Sequence, residues 1–350
     1  MVEKFPEITL SGNSYEIGHQ HGTKLKDRIH KTIEFYTDVT KNLTPDERKT
    51  NEELILQSAE GFAQTIKSFN KNYADEIEGI AEGSSSNPLW IYALNARSEI
   101  MSNMENNSTE CTALYFQPSR LHGQNWDWSK DFEDLAVLMR IKPNDGPRIL
   151  QMTEPGILGK IGFNSSGIGV TLNFLHQSTK LHGVPIHIIL RSLLDSEGFD
   201  EALQLIKNLP YGQSGNIILS SDDGRYQNVE FAGDKRFFLQ NSDPVQVHTN
   251  HYLKDPSINL SADLLQSSYA RFERANSMQS DLTKYTLDEM KSILADGTNS
   301  ELPICRPYIE GRTMQDVGSV CSIILDLQKR QMHFTHGHPA NNPYVVHNLM

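Results

Sequence analysis

The stretch "NNSTECTALYFQPSRLHGQNWDW", residues 106–128, marks the point where the pattern of the chain changes. It begins as a polar run that ends at Glu110, and from Cys111 it continues as a short run with a period of two residues. Side chains of a strand point alternately to its two faces, so this period predicts a strand that begins at Cys111. A turn at residues 118–120 and a second run that reaches Trp128 predict its partner. The sequence therefore predicts a β-hairpin whose first strand begins on a cysteine.

The residues before this hairpin have helical spacing. Apolar residues recur at Ile17, Leu25 and Ile29, which indicates an amphipathic helix. Most of the first 105 residues are likewise predicted to be helical. Gly18 and Gly22 lie one turn apart, and this spacing predicts that the first helix closely contacts a neighbour.

The residues after the hairpin alternate between strand and helix patterns. Antiparallel hairpins are predicted around the turn at 164–167 and in a meander over 215–241. Helices are predicted at about 185–196, 199–208, 259–279 and 286–295. In the last 40 residues two strands are predicted, at "SVCSIILDL" and "KRQMHFTHG". The order α, β, α, β predicts an α+β layered fold.

The bulk composition narrows the class of protein. The chain has 350 residues with 37% hydrophobic content and a net charge of −12. Nucleic acid and anionic membranes attract basic surfaces. Because this chain is acidic and has no dense Lys/Arg run, neither of them is expected as a partner. No apolar run approaches the roughly 20 residues of a membrane span, and the N-terminus has no signal-like apolar region. The three cysteines are expected to be reduced thiols, which favours a cytoplasmic protein.

Cys111 is the candidate nucleophile. A thiolate needs a base or a lowered pKa to form at neutral pH. If the chain is cut before Cys111, the new α-amino group, with an ordinary pKa of about 7.7–8.0, can be that base. The same thiol can make the cut by attacking the carbonyl of Glu110 and shifting the acyl group to sulfur. The alternative is that Cys111 is a small core residue.

Five motifs occur in an order that resembles a known family: "ECTALYFQPSRLHGQNWDW", "EPGILGKIGFNSSGIGVTLN", "VHTNHYL", "SSYARFERA" and "ICRPYIEG". They are similar to the acyl-coenzyme A:6-aminopenicillanic acid acyltransferase (isopenicillin-N acyltransferase) family of N-terminal-nucleophile (Ntn) hydrolases. The earlier "YEIGHQHG" and "LNARSEI" look like the precursor segment of that family. The likeness covers nearly the whole chain.

The resemblance implies a four-layer αββα sandwich and a set of site residues. Cys111 matches the nucleophile, Asp127 an aspartate needed for processing, Asn250 an oxyanion donor and Arg306 a fixed cation. Cleavage is expected between Glu110 and Cys111. It would give a small chain, 1–110, and a catalytic chain, 111–350, that stay associated.

The same resemblance implies an autoprocessing cysteine amidohydrolase or acyltransferase. The expected substrate is a small N-acyl amide or acyl thioester, attacked to form a thioester on Cys111. No cofactor or metal is expected, and acyl-CoA stays open as a co-substrate. Glu110 stands where the family has glycine, and Cys305 stands where the penicillin-pathway enzyme has serine. The resemblance therefore does not imply a penicillin product.

Two other hypotheses remain open at this point. The first is an unprocessed, non-catalytic binding protein of the same fold. The second is a metal-dependent amidohydrolase whose ligands come from the histidines, although neither an HExxH motif nor a paired CxxC motif is present. The candidate ligands are His19, His21, His248, His251, His333, His336 and His338.

Overall fold

The computed structural model describes residues 4–40, 51–102, 110–176, 182–240, 243–279, 284–308 and 317–349. These residues form ten α-helices and fourteen β-strands. The helices are α1 (Ser14–Thr40), α2 (Asn51–Phe69), α3 (Lys71–Ser84), α4 (Pro88–Asn95), α5 (Arg97–Ser102), α6 (Phe132–Leu135), α7 (Ile186–Leu194), α8 (Phe199–Asn208), α9 (Gln266–Gln279) and α10 (Leu287–Leu294). The strands are β1 (Glu7–Gly12), β2 (Glu110–Phe116), β3 (Leu121–Ser129), β4 (Val137–Pro143), β5 (Ile149–Thr153), β6 (Ile161–Asn164), β7 (Ile168–Phe174), β8 (Ser214–Ser221), β9 (Tyr226–Ala232), β10 (Lys235–Phe238), β11 (Val245–His248), β12 (Val317–Asp326), β13 (Gln331–Thr335) and β14 (Tyr344–Asn348). Within these ranges, every helix is too short or too polar to cross a lipid bilayer.

The strands form two sheets that pack face to face. The larger sheet has the order β1-β4-β5-β6-β7-β8-β9-β10, and the smaller has the order β11-β2-β3-β12-β13-β14. Strands β2 and β3 lie against β7, while α7 and α8 cover the larger sheet and α9 and α10 cover the smaller one. The layers are therefore helix, sheet, sheet and helix, and the predicted αββα fold is confirmed.

The predicted hairpin is present as β2 and β3, paired with Cys111 opposite Trp126. The strand begins at Glu110, one residue earlier than the period predicts. On one face, Leu114 joins the apolar cluster under α9 and α10, whereas Ala113 packs with Ile218 of the facing sheet. Because strand side chains alternate, Cys111 shares the face of Ala113 and points into the space between the sheets.

Glycines allow α1 and α3 to pack at close range. A Cβ atom at Gly18 would overlap the carbonyl oxygen of Glu76, and one at Gly79 would overlap the carbonyl oxygen of Tyr15. The predicted close contact of the first helix is therefore confirmed, and its partner is α3.

We expect Gly18→Ala to lower the free energy of unfolding by about 1–3 kcal/mol, because the added methyl group has no room between the helices. Gly61→Ala is the matched control. Gly61 also lies in a helix, but no atom lies within 4 Å of its would-be Cβ, so this change should raise stability by roughly 0.5–1 kcal/mol. Urea denaturation of both variants checks this. Equal stabilisation by the two substitutions would contradict the close contact.

The helical N-terminal part and the strands that follow it share one core. Strand β1 pairs in parallel with β4 and so extends the larger sheet. Glu76 on α3 accepts a hydrogen bond of 2.8 Å from Arg191 on α7, and both side chains are buried. The described residues of 4–40 and 51–102 are thus built into the layered body.

Candidate active site

The site is built around the backbone of Cys111. Its N–H donates to Asn250 Oδ1 over 2.9 Å, and its carbonyl oxygen accepts from Arg271 Nη1 at 2.7 Å and from Asn173 Nδ2 at 3.0 Å. The residue is 4% exposed. Its side chain lines a cavity between the sheets that is barely large enough for one water molecule.

Asn250 follows β11 and is fixed in one orientation. Its Oδ1 faces two donors, the N–H of Cys111 and Nη2 of Arg271, the latter at 2.9 Å. Its Nδ2 donates to the carbonyl oxygen of Phe174 at 2.9 Å. Because a guanidinium has no acceptor, the amide cannot be flipped without losing these bonds. The structure thus brings Asn250 to Cys111, as expected, with the amide oxygen on the backbone nitrogen of Cys111.

Arg271 is a site residue that the sequence interpretation missed. It lies on α9, is fully buried, and bonds to Thr112 Oγ1 as well as to Cys111 and Asn250. The available signal was its position: Ser268, Arg271 and Ala275 form the buried side of α9. An arginine on the buried side of an amphipathic helix requires partners that repay its desolvation.

Asp127 and Arg306 are linked through Ser319, a second residue that was missed. The Ser319 hydroxyl donates to Asp127 Oδ1 at 2.6 Å and accepts from the backbone N–H of Arg306 at 2.9 Å. Asp127 is also the register partner of Glu110, so it lies opposite the predicted cleavage junction. Arg306 is buried, and the link between it and Asp127 runs through its backbone.

The thiol of Cys111 is protonated at neutral pH in the continuous chain. Burial raises its pKa to about 11, and the nearby Asp127 carboxylate adds to this effect. Hydrogen bonds from the Asp127 backbone and the Gln124 side chain, together with the charge of Arg271, lower the pKa only in part. A nucleophilic role for Cys111 therefore requires a base.

A buried ionic network adjoins the same cavity. Glu154 accepts from Arg97 Nε at 3.0 Å and Nη2 at 2.5 Å, from the Tyr36 hydroxyl at 2.5 Å, and from Lys160 Nζ. Burial alone would raise the pKa of Glu154, but Arg97 and Lys160 hold it well below its usual range. Burial lowers the pKa of Lys160 to about 8, against the opposing effect of Glu154. Lys160 Nζ also lies 3.4 Å from the centroid of the Trp126 ring.

We expect Glu154→Gln to cost about 3–5 kcal/mol of folding free energy at pH 7, because it leaves buried cations without their counter-charge. The folded-state pKa of Glu154 lies below its ordinary value of 4.5, so its contribution is complete above that value and is lost as the pH falls through the folded pKa. The stability gap between wild type and variant should therefore be constant near neutrality and narrow below about pH 4.5.

The measurement is urea unfolding at a series of pH values. Glu60→Gln, at an exposed position on α2, is the control and should behave as wild type throughout. A Glu154→Gln protein as stable as wild type at pH 7 would contradict the ionic network.

The histidines considered as metal ligands are dispersed or engaged elsewhere. His248 Nε2 bonds to Glu230 Oε1 at 2.9 Å, His251 Nδ1 bonds to Ser268 Oγ at 2.8 Å, and His21 Nε2 accepts from the Gly156 N–H. In the part of the chain that the structure describes, no group of three or more His, Cys, Asp or Glu side chains is arranged to hold a metal ion.

The αββα layering, with a cysteine near the start of an inner strand, is the architecture of the Ntn-hydrolase class. The chain belongs to the acyl-coenzyme A:6-aminopenicillanic acid acyl-transferase family, whose model matches residues 116–341. The 40 kDa form of acyl-coenzyme A:6-aminopenicillanic-acid-acyltransferase from Emericella nidulans is 30% identical over 342 residues, which cover 96% of this chain and 93% of that protein. The resemblance seen in the five motifs is thereby confirmed.

Two solved structures are also similar. One is a Caenorhabditis elegans ortholog of N-acylethanolamine-hydrolyzing acid amidase, with a TM-score of 0.46, 14% identity and coverage of 62% of this chain and 93% of that chain. The other is a mutant of the conjugated bile acid hydrolase from Clostridium perfringens, with a TM-score of 0.45, 13% identity and coverage of 69% and 96%. Family membership rests on the two sequence matches.

Proposed function

We propose that this protein is an autoprocessing cysteine amidohydrolase or acyltransferase that forms a thioester on Cys111. The observation that carries the proposal is that the site holds the backbone of Cys111 from both sides. Asn250 accepts from its nitrogen, and a fully buried arginine, Arg271, donates to its carbonyl oxygen. A cysteine that only filled the core would not need a buried cation on its backbone.

The proposed processing step balances within the chain. Cys111 Sγ attacks the carbonyl carbon of Glu110, the Glu110–Cys111 peptide bond breaks, and the thiol proton ends on the Cys111 nitrogen. The product is a thioester with a free α-amino group. Water then hydrolyses the thioester and leaves a carboxylate on Glu110 and a free thiol on Cys111. In this scheme Asn250 Oδ1 holds the nitrogen that becomes the amino group.

In the processed protein the α-amino group takes the proton of the Cys111 thiol, and the thiolate attacks the acyl carbon of the substrate. The leaving amine takes a proton from the α-ammonium group as the acyl-thioester forms. Water or a second amine then accepts the acyl group. We assign Asp127 to stabilise the α-ammonium group, and Asn250 Nδ2 to donate to the oxyanion once it exchanges its Phe174 partner.

The proposed substrate is a small N-acyl amide, with acyl-CoA as an acyl donor for the transfer reaction. The family name supports an acyl thioester as one partner. The cavity beside Cys111 has no room for an acyl group in the continuous chain, so we propose that processing opens it. This favours a processed enzyme over an unprocessed binding protein. The unpaired state of Cys111, Cys305 and Cys321 supports a reducing, cytoplasmic setting.

A substrate panel tests this proposal. Purified wild type is incubated with N-acyl amines, N-acyl amino acids and acyl thioesters, and the peptide that begins at Cys111 is examined by mass spectrometry. We expect amide turnover with at least one substrate and a mass increase equal to one acyl group on that peptide. Acylation at another residue, with Cys111 unmodified during turnover, would overturn the proposal.

We further propose that residues 1–110 and 111–350 remain together after cleavage. The pairing of β1 with β4, the Arg97–Glu154 ion pair and the Glu76–Arg191 ion pair all cross this division. Burying one large apolar side chain contributes about 1.5–3 kcal/mol, and the α1 face carries several. Native size-exclusion chromatography should give one peak that contains both fragments. Separation without denaturant would contradict the proposal.

A further inference from the structure

Lys160 lies across the inter-sheet cavity from the nucleophile. It immediately precedes β6 of the larger sheet, and its ammonium group lies over the ring of Trp126, a residue of β3 in the smaller sheet. Trp126 is the register partner of Cys111. Residues directly opposite in an antiparallel pair have neighbouring side chains on one face. The ammonium group of Lys160 and the sulfur of Cys111 therefore flank the same indole and line the same cavity.

The charges around Lys160 do not balance. Glu154 is the carboxylate that pairs with both buried cations, Arg97 and Lys160. The second buried acid that faces Arg97 is Glu99, and burial raises its pKa to about 7, so it balances the positive charge only in part. The other acid of the cavity, Asp127, is bonded to Ser319 at the Arg306 end of the site. A buried surplus of positive charge favours an anion beside it. The Cys111 thiol is the group in the cavity that can supply one by losing a proton.

We propose that Lys160 is a positioning residue whose ammonium group stabilises the Cys111 thiolate. The inference rests on the proposed function, in which the thiol proton moves to the α-amino group of Cys111. The sulfur then carries a negative charge that faces both the α-ammonium group and Lys160. Glu154 holds Lys160 in place, and Arg97 holds Glu154, so the network ties helix α5 of the small chain to the nucleophile.

The electrostatics agree with this placement. A negative charge on Cys111 raises the pKa of Lys160, and the coupling is reciprocal, so the charge of Lys160 lowers the pKa of the thiol. The other ionisable groups around the cavity and its network are Asp127, Arg271, Glu154, Arg97, Tyr36, Glu99, His187 and the thiol of Cys321. Burial keeps the pKa of His187 well below its usual range, so this ring stays neutral in the pH range of the test.

The test is the pH dependence of Cys111 alkylation by iodoacetamide in the processed protein, resolved by peptide mass spectrometry. Only the thiolate reacts, so the midpoint reports the thiol pKa. We expect Lys160→Met to move the midpoint upward by about one pH unit, which is a tenfold slower reaction below the midpoint. Lys160→Arg should restore most of the rate, because it keeps the charge. Lys71→Met, which removes an exposed lysine on α3, is the control and should leave the midpoint unchanged.

An unchanged midpoint in a folded Lys160→Met protein would overturn the proposal. Should that variant fail to fold, the reciprocal measurement needs only wild type. Alkylation of Cys111 removes its charge, so NMR titration of the Lys160 amine should give a lower pKa after alkylation than before, and equal values would also overturn it. Neither measurement uses enzyme activity. A Cys111→Ala variant with full activity would refute the proposed function and leave this test intact.

Discussion

Cys111→Ala is expected to remain a single chain of 39.6 kDa and to lose amide turnover. The variant has no sulfur to attack the Glu110 carbonyl, so the chain is not cut, and no group can carry the acyl intermediate. Loss of the nucleophile in comparable acyl-transfer enzymes lowers kcat on the order of 10⁶-fold. Intact mass and a turnover assay on the same sample measure both effects. Activity within tenfold of wild type would refute the role of Cys111.

Two further cysteine variants sharpen this result. Cys111→Ser should cut slowly, since a hydroxyl can make the same acyl shift, but it should be a poor catalyst. Cys305→Ser is the matched control, because Cys305 is buried near the site and burial raises its pKa to about 12. It should be processed and active. Loss of activity in Cys305→Ser with full activity in Cys111→Ser would contradict the proposal, because it would indicate that Cys305 is the nucleophile.

Substitution of Asn250 is expected to have the next largest effect. Asn250→Ala should lower kcat about 100- to 1000-fold, the cost of one lost oxyanion donor, and should also slow processing because the Cys111 N–H loses its acceptor. Asn250→Asp separates the two roles. A carboxylate still accepts from Cys111 and Arg271 but has no N–H to donate. We therefore expect Asn250→Asp to be cut and to turn over slowly.

The effect on turnover is measured as kcat for the cleaved protein of each Asn250 variant and of wild type. Asn259→Ala is the control, since Asn259 also bonds to backbone groups, those of Tyr252, in the same region of the chain. It should affect stability and leave kcat near that of wild type. Wild-type turnover in Asn250→Asp would contradict an oxyanion role for the side-chain amide.

Local patterns predicted most of the fold. The hairpin of β2 and β3, the helices α7 and α8 and the close contact at Gly18 all follow from periods and residue types a few positions apart. The predicted helix over 259–279 begins only at Gln266, because single-turn 3₁₀ segments, one of them opening on Pro256, precede it. Strand β14 was missed, since it is a half-exposed edge strand with little burial pattern.

The candidate site was predicted less completely. The resemblance pointed to Cys111, Asp127, Asn250 and Arg306, and the structure brings the first three to one end of β2 and β3. Arg306 joins them through Ser319.

Arg271 and Lys160 were missed for a physical reason. Arg271 lies 160 positions from Cys111, and its main partner is a backbone carbonyl, which has no sequence signature. Lys160 lines the same cavity as Cys111 only because two sheets stack, and no local period encodes that stacking. Residues that serve a site through long-range contacts need the structure to be found.

The most direct test is the covalent state of purified wild type. Intact mass and N-terminal sequencing should identify one fragment that ends at Glu110 and one that begins Cys-Thr-Ala-Leu. That result would supply the free α-amino group on which the proposed chemistry depends. A fully active protein that remains one chain of 350 residues would contradict it, and the search for a base would then move to His248, His251 and Asp127.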